Sequence, residues 1–511
     1  MIRPIATVFT GTLGSRLLGF IRDAMLAALF GATAVADAFL LAFQVINVAR
    51  RLVSEGSLNA AFVPAYLRIR NSTGDIAAAA FAGRALGAIG TALIGASAIL
   101  ALLMPQVVAL LAPGFGDSAT LQIAVESARL MLPYLAFAGP VAVLAAALNA
   151  NGQVVFTSFS PLLFNIAMIA VIAVLLTMDG MRATTSALVL GATVGIAGCM
   201  QAAVLVFAGA RTAWPLRLSF APEIRALLGR ALPGMIAQSG PQLLLVAGAL
   251  VASASPAAIS WLYFASRLVE LPLGIVGAAA GTVLLPALSH ATHNDDSAGH
   301  DTAASLALQL GLGLALPAAI GLATLAQPIV ALLYERGAFS ASDTAATALT
   351  LAVLATALPA HTLIKTFNAS FFAREQMLTP ALTTVVGLAA TLVIALLVHT
   401  RFGYAGIAVA MAAGAWLTVL TLGGLLAGAR ALPIDRAGAS KLARIVLASA
   451  LMGTAIVAAR AAMSDADASL LSRAVTLATL IALGLLVYAA ALRLFGVVSF
   501  RIVRKAFGQA G

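Results

Sequence analysis

The stretch Thr12-Leu-Gly-Ser-Arg-Leu-Leu-Gly-Phe-Ile-Arg-Asp23 lies inside an apolar segment, residues 5–30, that is long enough to span a membrane. Its polar members are Ser15, Arg16, Arg22 and Asp23. A charged side chain at the centre of a spanning helix costs about 2.5–3.5 kcal/mol. At about 100° per residue, all four fall within one arc of about 120°. A chain keeps such residues where they face protein, a partner charge or a wet cavity, so the stretch predicts one wall of a polar site inside a membrane protein.

The composition predicts an all-α polytopic membrane protein. Of the 511 residues, 62% are hydrophobic and only 9% are charged, whereas soluble proteins carry about 25% charged residues. The apolar runs are about 20 residues long, as spanning helices require, and a β-barrel would instead show alternating segments of about 10 residues. The sequence has no phosphate-binding loop and no sizeable soluble domain, so an enzyme and ATP-driven transport are both disfavoured. A single cysteine, Cys199, excludes an internal disulfide framework.

Apolar runs separated by polar residues, glycine or proline predict fourteen membrane spans. Their approximate limits are 5–30, 35–64, 84–111, 124–149, 159–178, 184–208, 227–252, 256–288, 303–333, 344–371, 378–398, 404–428, 441–462 and 470–495. An internal repeat is visible, because Val107–Leu111 recurs as Ile329–Leu333 and Pro64 recurs as Pro286, both at an offset of 222 residues. Each copy holds six spans, an even number, so both cross the membrane in the same direction. Transporters with such parallel repeats commonly bind substrate between them.

The repeat divides the chain into three predicted parts. They are an N-terminal lobe of six spans (1–222), a C-terminal lobe of six spans (223–430), and spans 13 and 14 with a tail (431–511). With the N-terminus in the cytoplasm, cytoplasmic segments hold 17 Lys or Arg residues and the opposite side holds 5, the other 7 lying within spans or at their edges. This bias predicts that both termini are cytoplasmic. The N-terminus has a single Arg3 and no convincing small-residue cleavage site, so we expect the first helix to be retained. Because the basic residues cluster at helix ends, the net charge of +11 does not indicate nucleic-acid binding.

Polar stripes also follow two further spans. In the second span, Asn47, Arg50, Arg51 and Glu55 share an arc of about 140°, and in the eighth Arg267 and Glu270 lie about 60° apart. Arginine can grip a phosphate or carboxylate through two parallel hydrogen bonds. The stripes therefore predict a cationic cavity for an anionic head group. Its predicted lining is Ser15, Arg16, Arg22, Asp23, Asn47, Arg50, Arg51 and Arg267.

The same residues fit a second interpretation, in which buried ion pairs fix helix packing. The pairs would be Arg22 with Asp23 or Asp37, Arg51 with Glu55, and Arg267 with Glu270. In either interpretation Asp37, Glu55 and Glu270 act in ion pairs or a gate. Lys365 in the tenth span is a further candidate for the cavity wall, although a packing lysine fits equally well. The His and Asp residues between 290 and 301 lack a compact ligand spacing, so no metal is expected, and no cofactor is predicted.

Eight short motifs follow one another along the chain: Ser15-Arg-Leu-Leu-Gly-Phe-Ile-Arg-Asp23, Ala36-Asp-Ala-Phe39, Arg50-Arg-Leu-Val-Ser-Glu-Gly56, Phe62-Val-Pro64, Ala112-Pro-Gly-Phe115, Arg267-Leu-Val-Glu-Leu-Pro272, Gly281-Thr-Val-Leu-Leu-Pro-Ala-Leu288 and Tyr334-Glu-Arg-Gly-Ala-Phe339. Together they resemble the MurJ (MviN) family of lipid II flippases, in the multidrug/oligosaccharidyl-lipid/polysaccharide (MOP) exporter superfamily. The resemblance covers essentially the whole chain. The combination of motifs is specific, whereas any single motif is not.

This resemblance implies two six-helix lobes around a central cationic cavity, with a groove for a lipid tail at spans 13 and 14. It implies that lipid II, an undecaprenyl-pyrophosphate-linked disaccharide-pentapeptide, moves by alternating access from the inner to the outer leaflet of the bacterial cytoplasmic membrane during peptidoglycan synthesis. Expected partners are lipid II, membrane lipids and the cell-wall synthesis machinery. The family's essential arginines correspond to Arg16, Arg22, Arg50 and Arg267, and its acidic positions in the first two helices correspond to Asp23 and Asp37. The chain departs from many relatives at Gln44, often basic, and at Ser266, often Asp.

Three other functions remain open at this point. The chain could flip another polyprenyl-linked oligosaccharide. A cation-coupled drug exporter of the same superfamily would favour acidic cavity residues, whereas the predicted cavity is rich in arginine. A membrane scaffold for cell-wall enzymes, without transport, predicts that neutralising the cavity charges is harmless.

Overall fold

A computed structural model of the chain describes residues 2–54, 57–116, 118–178, 180–209, 239–293, 297–372, 374, 376–429, 436–463 and 469–497. These residues form sixteen α-helices and no strand. The helices are α1 Ile2–Phe30, α2 Ala34–Ser54, α3 Ser57–Thr73, α4 Asp75–Leu111, α5 Ala119–Ala150, α6 Val154–Thr177, α7 Ala183–Ala208, α8 Gly240–Ala252, α9 Ala258–His293, α10 Ser297–Thr324, α11 Ala326–Tyr334, α12 Ala341–Ala355, α13 Leu358–Phe372, α14 Leu378–Gly428, α15 Arg436–Ala461 and α16 Leu470–Leu494.

The predicted class of all-helical membrane protein is confirmed. Within the described ranges, nine helices are long and apolar enough to cross a membrane. The count of fourteen spans and their arrangement in two lobes stay predictions.

Proline and glycine explain where helices and predicted spans differ. Span 303–333 lies in two helices, α10 and α11, and span 344–371 lies in α12 and α13. Pro328 and Pro359 sit in the first turns of α11 and α13, where a missing N–H is tolerated but a continuous helix is not favoured. Spans 378–398 and 404–428 run together as α14, with a non-helical kink at Gly403 between them.

The chain divides into two compact units. The first holds residues 1–263 and 336–340, and the second holds residues 264–335 and 341–511. This boundary follows the first turns of α9, later than the predicted lobe boundary at 222. The start of α9 is fastened to the first unit, since Ser260 bonds to Asp37 and Tyr263 bonds to Asp23. The predicted division into lobes stays a prediction.

In the first unit, α5 packs against α2, α4 and α7, and α1 packs along α6. Small residues let these helices approach closely, because a side chain at Gly195 or Gly198 of α7 would meet the backbone of α5. Phe62, Tyr66 and Phe81 stack in the core, with ring centroids 5.4 and 5.8 Å apart. The resulting scaffold presents one face of α1 to α6 and one face of α2 to α5 and α7.

In the second unit, α10 packs against α13 and α15, and α15 packs against α16. The two halves of α14 fold back on each other through a reciprocal contact. Thr418 lies against Gly387, and Thr391 lies against Gly414, so that each glycine makes room for a threonine of the opposite half. Both threonine hydroxyls donate to carbonyls of their own helix at 2.9 Å, which satisfies them inside an apolar environment.

Candidate functional site

Arg22 and Asp23 form a buried ion pair on α1. Arg22 donates to Asp23 Oδ1 from Nε at 2.9 Å and from Nη2 at 2.6 Å, and its third nitrogen, Nη1, donates to Asn165 Oδ1 at 2.9 Å. Tyr263 donates its hydroxyl to the same Asp23 oxygen at 3.2 Å. Arg22 is 4% exposed and Asp23 is 0% exposed. The pair is therefore neutral as a whole, and its hydrogen bonds come from helices α1, α6 and α9.

Aromatic rings cover the Arg22 guanidinium. Its central carbon lies 5.3 Å from the ring centroid of Phe43 and 5.4 Å from that of Phe164. These distances are typical of cation–π contacts, which gain strength when water is excluded. The Phe43 and Phe164 rings stack on each other with centroids 6.1 Å apart. The guanidinium is thus held in one position by α2 and α6 as well as by its own carboxylate partner.

The two predicted arginines of α1 occupy different environments. Arg16 is exposed, whereas Arg22, almost two turns later, is buried. Ser15 lies between these extremes, and its carbonyl accepts a hydrogen bond from Asn165 Nδ2 at 3.0 Å. Asn165 therefore joins the backbone at Ser15 to the side chain of Arg22. Of the two arginines, Arg16 is the one that a ligand can reach without breaking existing hydrogen bonds of Arg22.

Arg50 of α2 lines a small cleft between α2, α5 and α7. It donates to Asn47 Oδ1 from Nη2 at 3.1 Å, and its guanidinium lies 5.4 Å from the Tyr134 ring centroid. The remaining wall is formed by Phe137, Ala138, Val141, Gly198 and Gln201. An arginine in an otherwise largely apolar cleft suits an anionic group with an apolar neighbour. The structure thereby brings the predicted residues Asn47 and Arg50 together.

Arg51 points toward α8. Its Nη1 donates to the Gln242 side-chain oxygen at 2.9 Å in the amide orientation that also lets Gln242 donate to the Ser239 carbonyl. The predicted partner of Arg51, Glu55, lies outside the described residues. Arg51 therefore serves to join α2 to α8 within the first unit.

Asp37 caps the N-terminus of α9. Its Oδ1 accepts hydrogen bonds from the Ser260 backbone N–H at 2.8 Å and from the Ser260 hydroxyl at 2.5 Å. A carboxylate is stabilised there by the unpaired N–H groups and the positive end of the helix dipole. Among the described residues Asp37 makes no ion pair, so it is not the partner of Arg22. Its role in a gate stays a prediction.

In the second unit, Arg267 and Glu270 form the predicted ion pair one helical turn apart on α9, at 2.5 Å. Both side chains are partly accessible. Lys365 of α13 is exposed, and the neighbouring His361 is partly buried. The sequence predicts that the polar stripe with Arg267 lines the same cavity as the stripes of α1 and α2, and this stays a prediction. Residues 290–293 and 297–301 belong to α9 and α10, and their side chains lie outside the described ones.

Four polar residues of the first unit were not singled out by the sequence pattern. They are Asn165, Gln242, Ser260 and Tyr263. Asn165 is an amide in an apolar span, which is a usable signal, since a polar group in hydrocarbon needs a partner. Ser260 and Tyr263 carry no such signal, because serine and tyrosine are common in spanning helices without a distant partner.

A family model described as lipid II flippase MurJ matches residues 26–489. The chain belongs to the MurJ family of lipid II flippases. The predicted family is thereby confirmed. The MurJ match includes the Arg50, Asn165 and Arg267 positions, as well as the MurJ-like motifs between residues 36 and 339.

Named relatives cover almost the whole MurJ-family chain. It is 35% identical to the "Probable lipid II flippase MurJ" of Rhizobium meliloti, over 99% of this chain and 96% of that protein. It is 33% identical to the protein of the same name from Haemophilus influenzae, over 97% of this chain and 100% of that protein. Both similarities extend through α1, α2 and α9, the helices that carry the predicted charged residues.

Solved structures share the fold. "Lipid II flippase MurJ, inward closed conformation" aligns with a TM-score of 0.75 and 22% identity, over 96% of this chain and 98% of that one. An inward-facing multidrug resistance MATE transporter of the MOP superfamily aligns with a TM-score of 0.66 and 15% identity, over 82% of this chain and 94% of that one. At these identities the likeness concerns the fold alone. The MATE structure leaves a larger part of the MurJ-family chain unmatched.

Proposed function

We propose that the chain flips lipid II from the inner to the outer leaflet of the bacterial cytoplasmic membrane, by alternating access through an arginine-rich cavity. Membership of the MurJ family over residues 26–489 carries this proposal. In it, the chain has fourteen spans in two six-helix lobes plus two C-terminal helices, and both termini are cytoplasmic. The substrate is a polyprenyl diphosphate carrying a glycopeptide, and peptidoglycan synthesis uses the product.

The physical problem in such a reaction is the diphosphate. An ionised phosphate loses its hydration in hydrocarbon at a cost far above the strength of any single hydrogen bond. Guanidinium groups in a wet cavity replace that water with charged donors in a matching geometry. An outward movement of negative charge is also favoured by a negative-inside membrane potential, at about 2.3 kcal/mol per charge per 100 mV.

The geometry supports a division of roles among the charged residues. Arg16 is exposed and Arg50 lines a cleft, so we assign diphosphate binding to them together with Arg267. Arg22 is already committed to Asp23 and Asn165, so we assign it to a neutral pair that sets the position of α1. Asp37, Glu55 and Glu270 remain the proposed gate residues, and Lys365 is a further cavity candidate.

Complementation tests this proposal. In a bacterium depleted of its own flippase, the wild-type chain should make lipid II accessible outside the cell, and Arg16→Ala, Arg22→Ala and Arg267→Ala should reduce that signal at equal expression. Arg182→Ala is the matched control, since Arg182 is exposed just before α7 and outside the proposed cavity. Full rescue by Arg16→Ala and Arg267→Ala would overturn the cavity mechanism. Failure of a well-expressed wild type would favour another polyprenyl-linked oligosaccharide as substrate.

A drug exporter is the weaker candidate. The MATE likeness concerns the fold, and an arginine-rich site repels cationic drugs. A scaffold without transport predicts that all three arginine variants rescue growth.

A further inference from the structure

A proline inside a membrane helix leaves one backbone carbonyl without its usual donor, and the described helices contain several such prolines. Proline has no N–H, so the carbonyl four residues earlier loses its partner. Pro105 does this inside α4 and Pro317 inside α10, and Pro328, in the first turn of α11, keeps α10 from continuing past its last residue, Thr324. The affected carbonyls belong to Ala101, Gly313 and Thr324. In hydrocarbon an unsatisfied backbone group is costly, so each of these carbonyls calls for a donor from elsewhere.

All three carbonyls receive a side-chain donor from another helix. Arg129 of α5 donates from Nε to Ala101 at 2.9 Å. Arg460 of α15 donates from Nη1 to Thr324 at 3.2 Å. Tyr488 of α16 donates its hydroxyl to Gly313 at 2.6 Å. The match between each proline and the carbonyl four residues before it identifies these bonds as substitutes for missing helical hydrogen bonds.

The two repeats obtain these donors in different ways. In the first repeat Arg129 belongs to the repeat itself. The repeat offset of 222 residues places Leu351 at the equivalent position of the second copy, and Leu351 is fully buried and apolar. The helix that carries it, α12, contains no Lys or Arg. The second repeat therefore lacks the internal donor, and both of its donors come from α15 and α16, which lie outside the repeat.

Apolar packing holds the same three helices together. Leu325, Met452, Ile456, Leu480 and Tyr488 belong to one buried cluster. Gly453 of α15 approaches Ile320 of α10 so closely that a Cβ at residue 453 would lie 2.6 Å from Ile320 Cγ2. The hydrogen bonds from Arg460 and Tyr488 thus join α10 to α15 and α16 at two points along its length, Thr324 and Gly313.

We propose that Arg460 and Tyr488 are positioning residues that supply the donors missing from the second repeat at Pro328 and Pro317, and that α10, α15 and α16 consequently move as one body. The pairing of donor and carbonyl does not depend on the substrate. Only the movement during transport rests on the proposed function. The role gives the two helices outside the repeat a structural reason to be present.

A double-mutant cycle tests the pairing in the purified full-length chain. Tyr488→Phe should lower the Tm by about 1–3 °C, because it removes one buried hydrogen bond and leaves the Gly313 carbonyl unpaired. Pro317→Ala restores an N–H four residues after Gly313. In that background Tyr488→Phe should lower the Tm by clearly less. The same non-additivity is expected for Arg460→Met with Pro328→Ala.

A buried tyrosine of the first unit provides the control. The Tyr66 hydroxyl accepts a hydrogen bond from Asn151 Nδ2 at 3.2 Å. This bond does not involve the Gly313 carbonyl or Pro317. Tyr66→Phe should therefore lower the Tm equally with and without Pro317→Ala. If Tyr488→Phe costs as much in the Pro317→Ala background as in the wild type, the proposed pairing is wrong.

Cross-linking tests the common movement. In a Cys199→Ala background, Ile320→Cys and Gly453→Cys introduce a cysteine pair between α10 and α15, where a Cβ on residue 453 would lie 2.6 Å from Ile320 Cγ2. Oxidation should leave the exposure of lipid II unchanged relative to the reduced protein. Loss of the signal on oxidation, reversed by a reductant, would show that α15 moves relative to α10. If the Cys199→Ala reference exposes no lipid II, the proposed function fails, and the double-mutant cycle still decides the pairing.

Discussion

At the residue scale, the buried guanidinium of Arg22 depends on Asn165 as well as on Asp23. Replacing Asn165 by Leu leaves Arg22 Nη1 without its acceptor inside the first unit and removes a second donor from the Ser15 carbonyl. Each buried group left unpaired costs about 1–3 kcal/mol. Asn165→Leu should therefore lower the Tm of the purified chain. Asn71→Leu, at an exposed position at the end of α3, should not.

Comparing the Tm of Asn165→Leu with that of Asn71→Leu tests whether the Asn165 amide holds the Arg22 guanidinium in place. Equal Tm values for Asn165→Leu and the wild type would mean that the amide does not hold Arg22. The sequence alone indicated that Arg22 and Asp23 share a polar arc, but adjacent residues on a helix do not face each other in general. Only the fold shows that the long Arg22 side chain turns back to Asp23 while Asn165, 143 positions away, accepts its remaining donor.

At the element scale, the two halves of α14 are held together by close packing at small residues. Lipid tails are as apolar as the helices, so the hydrophobic effect does not drive this contact. A side chain at Gly387 or Gly414 would collide with Thr418 or Thr391 of the opposite half. Forcing extra volume into such a contact costs about 1–3 kcal/mol. Gly414→Val should lower the Tm. Gly424→Val, on the same helix with no neighbour within 4 Å, should leave it nearly unchanged.

If Gly414→Val and Gly424→Val lower the Tm by a similar amount, the cause is a change in helix propensity and not the contact between the two halves of α14. Hydropathy correctly predicted two apolar spans separated near Gly403. It could not predict which faces meet, since both halves are apolar on every side and the contact depends on where glycine and threonine coincide in space.

At the scale of the whole molecule, the distribution of arginine and lysine predicts the orientation. Ser72 follows the second predicted span and Ser118 precedes the fourth, and both are exposed. In a Cys199→Ala background, a membrane-impermeant thiol reagent should label Ser118→Cys in intact cells. Ser72→Cys should be labelled only after the cells are permeabilised. The opposite pattern would place both termini outside.

The sequence by itself determined the class of protein, the family and the charged residues of α1, α2 and α9. It could do so because charge in an apolar segment is costly and each of the eight motifs is a short run of consecutive residues. The tertiary structure decided which charge serves which purpose: it pairs Arg22 with Asp23, leaves Arg16 exposed, turns Asp37 into a helix cap and brings Tyr488 to the Gly313 carbonyl. Apart from the adjacent Arg22 and Asp23, the bonded groups lie far apart in the chain, so helix packing and not local pattern decides which of them meet.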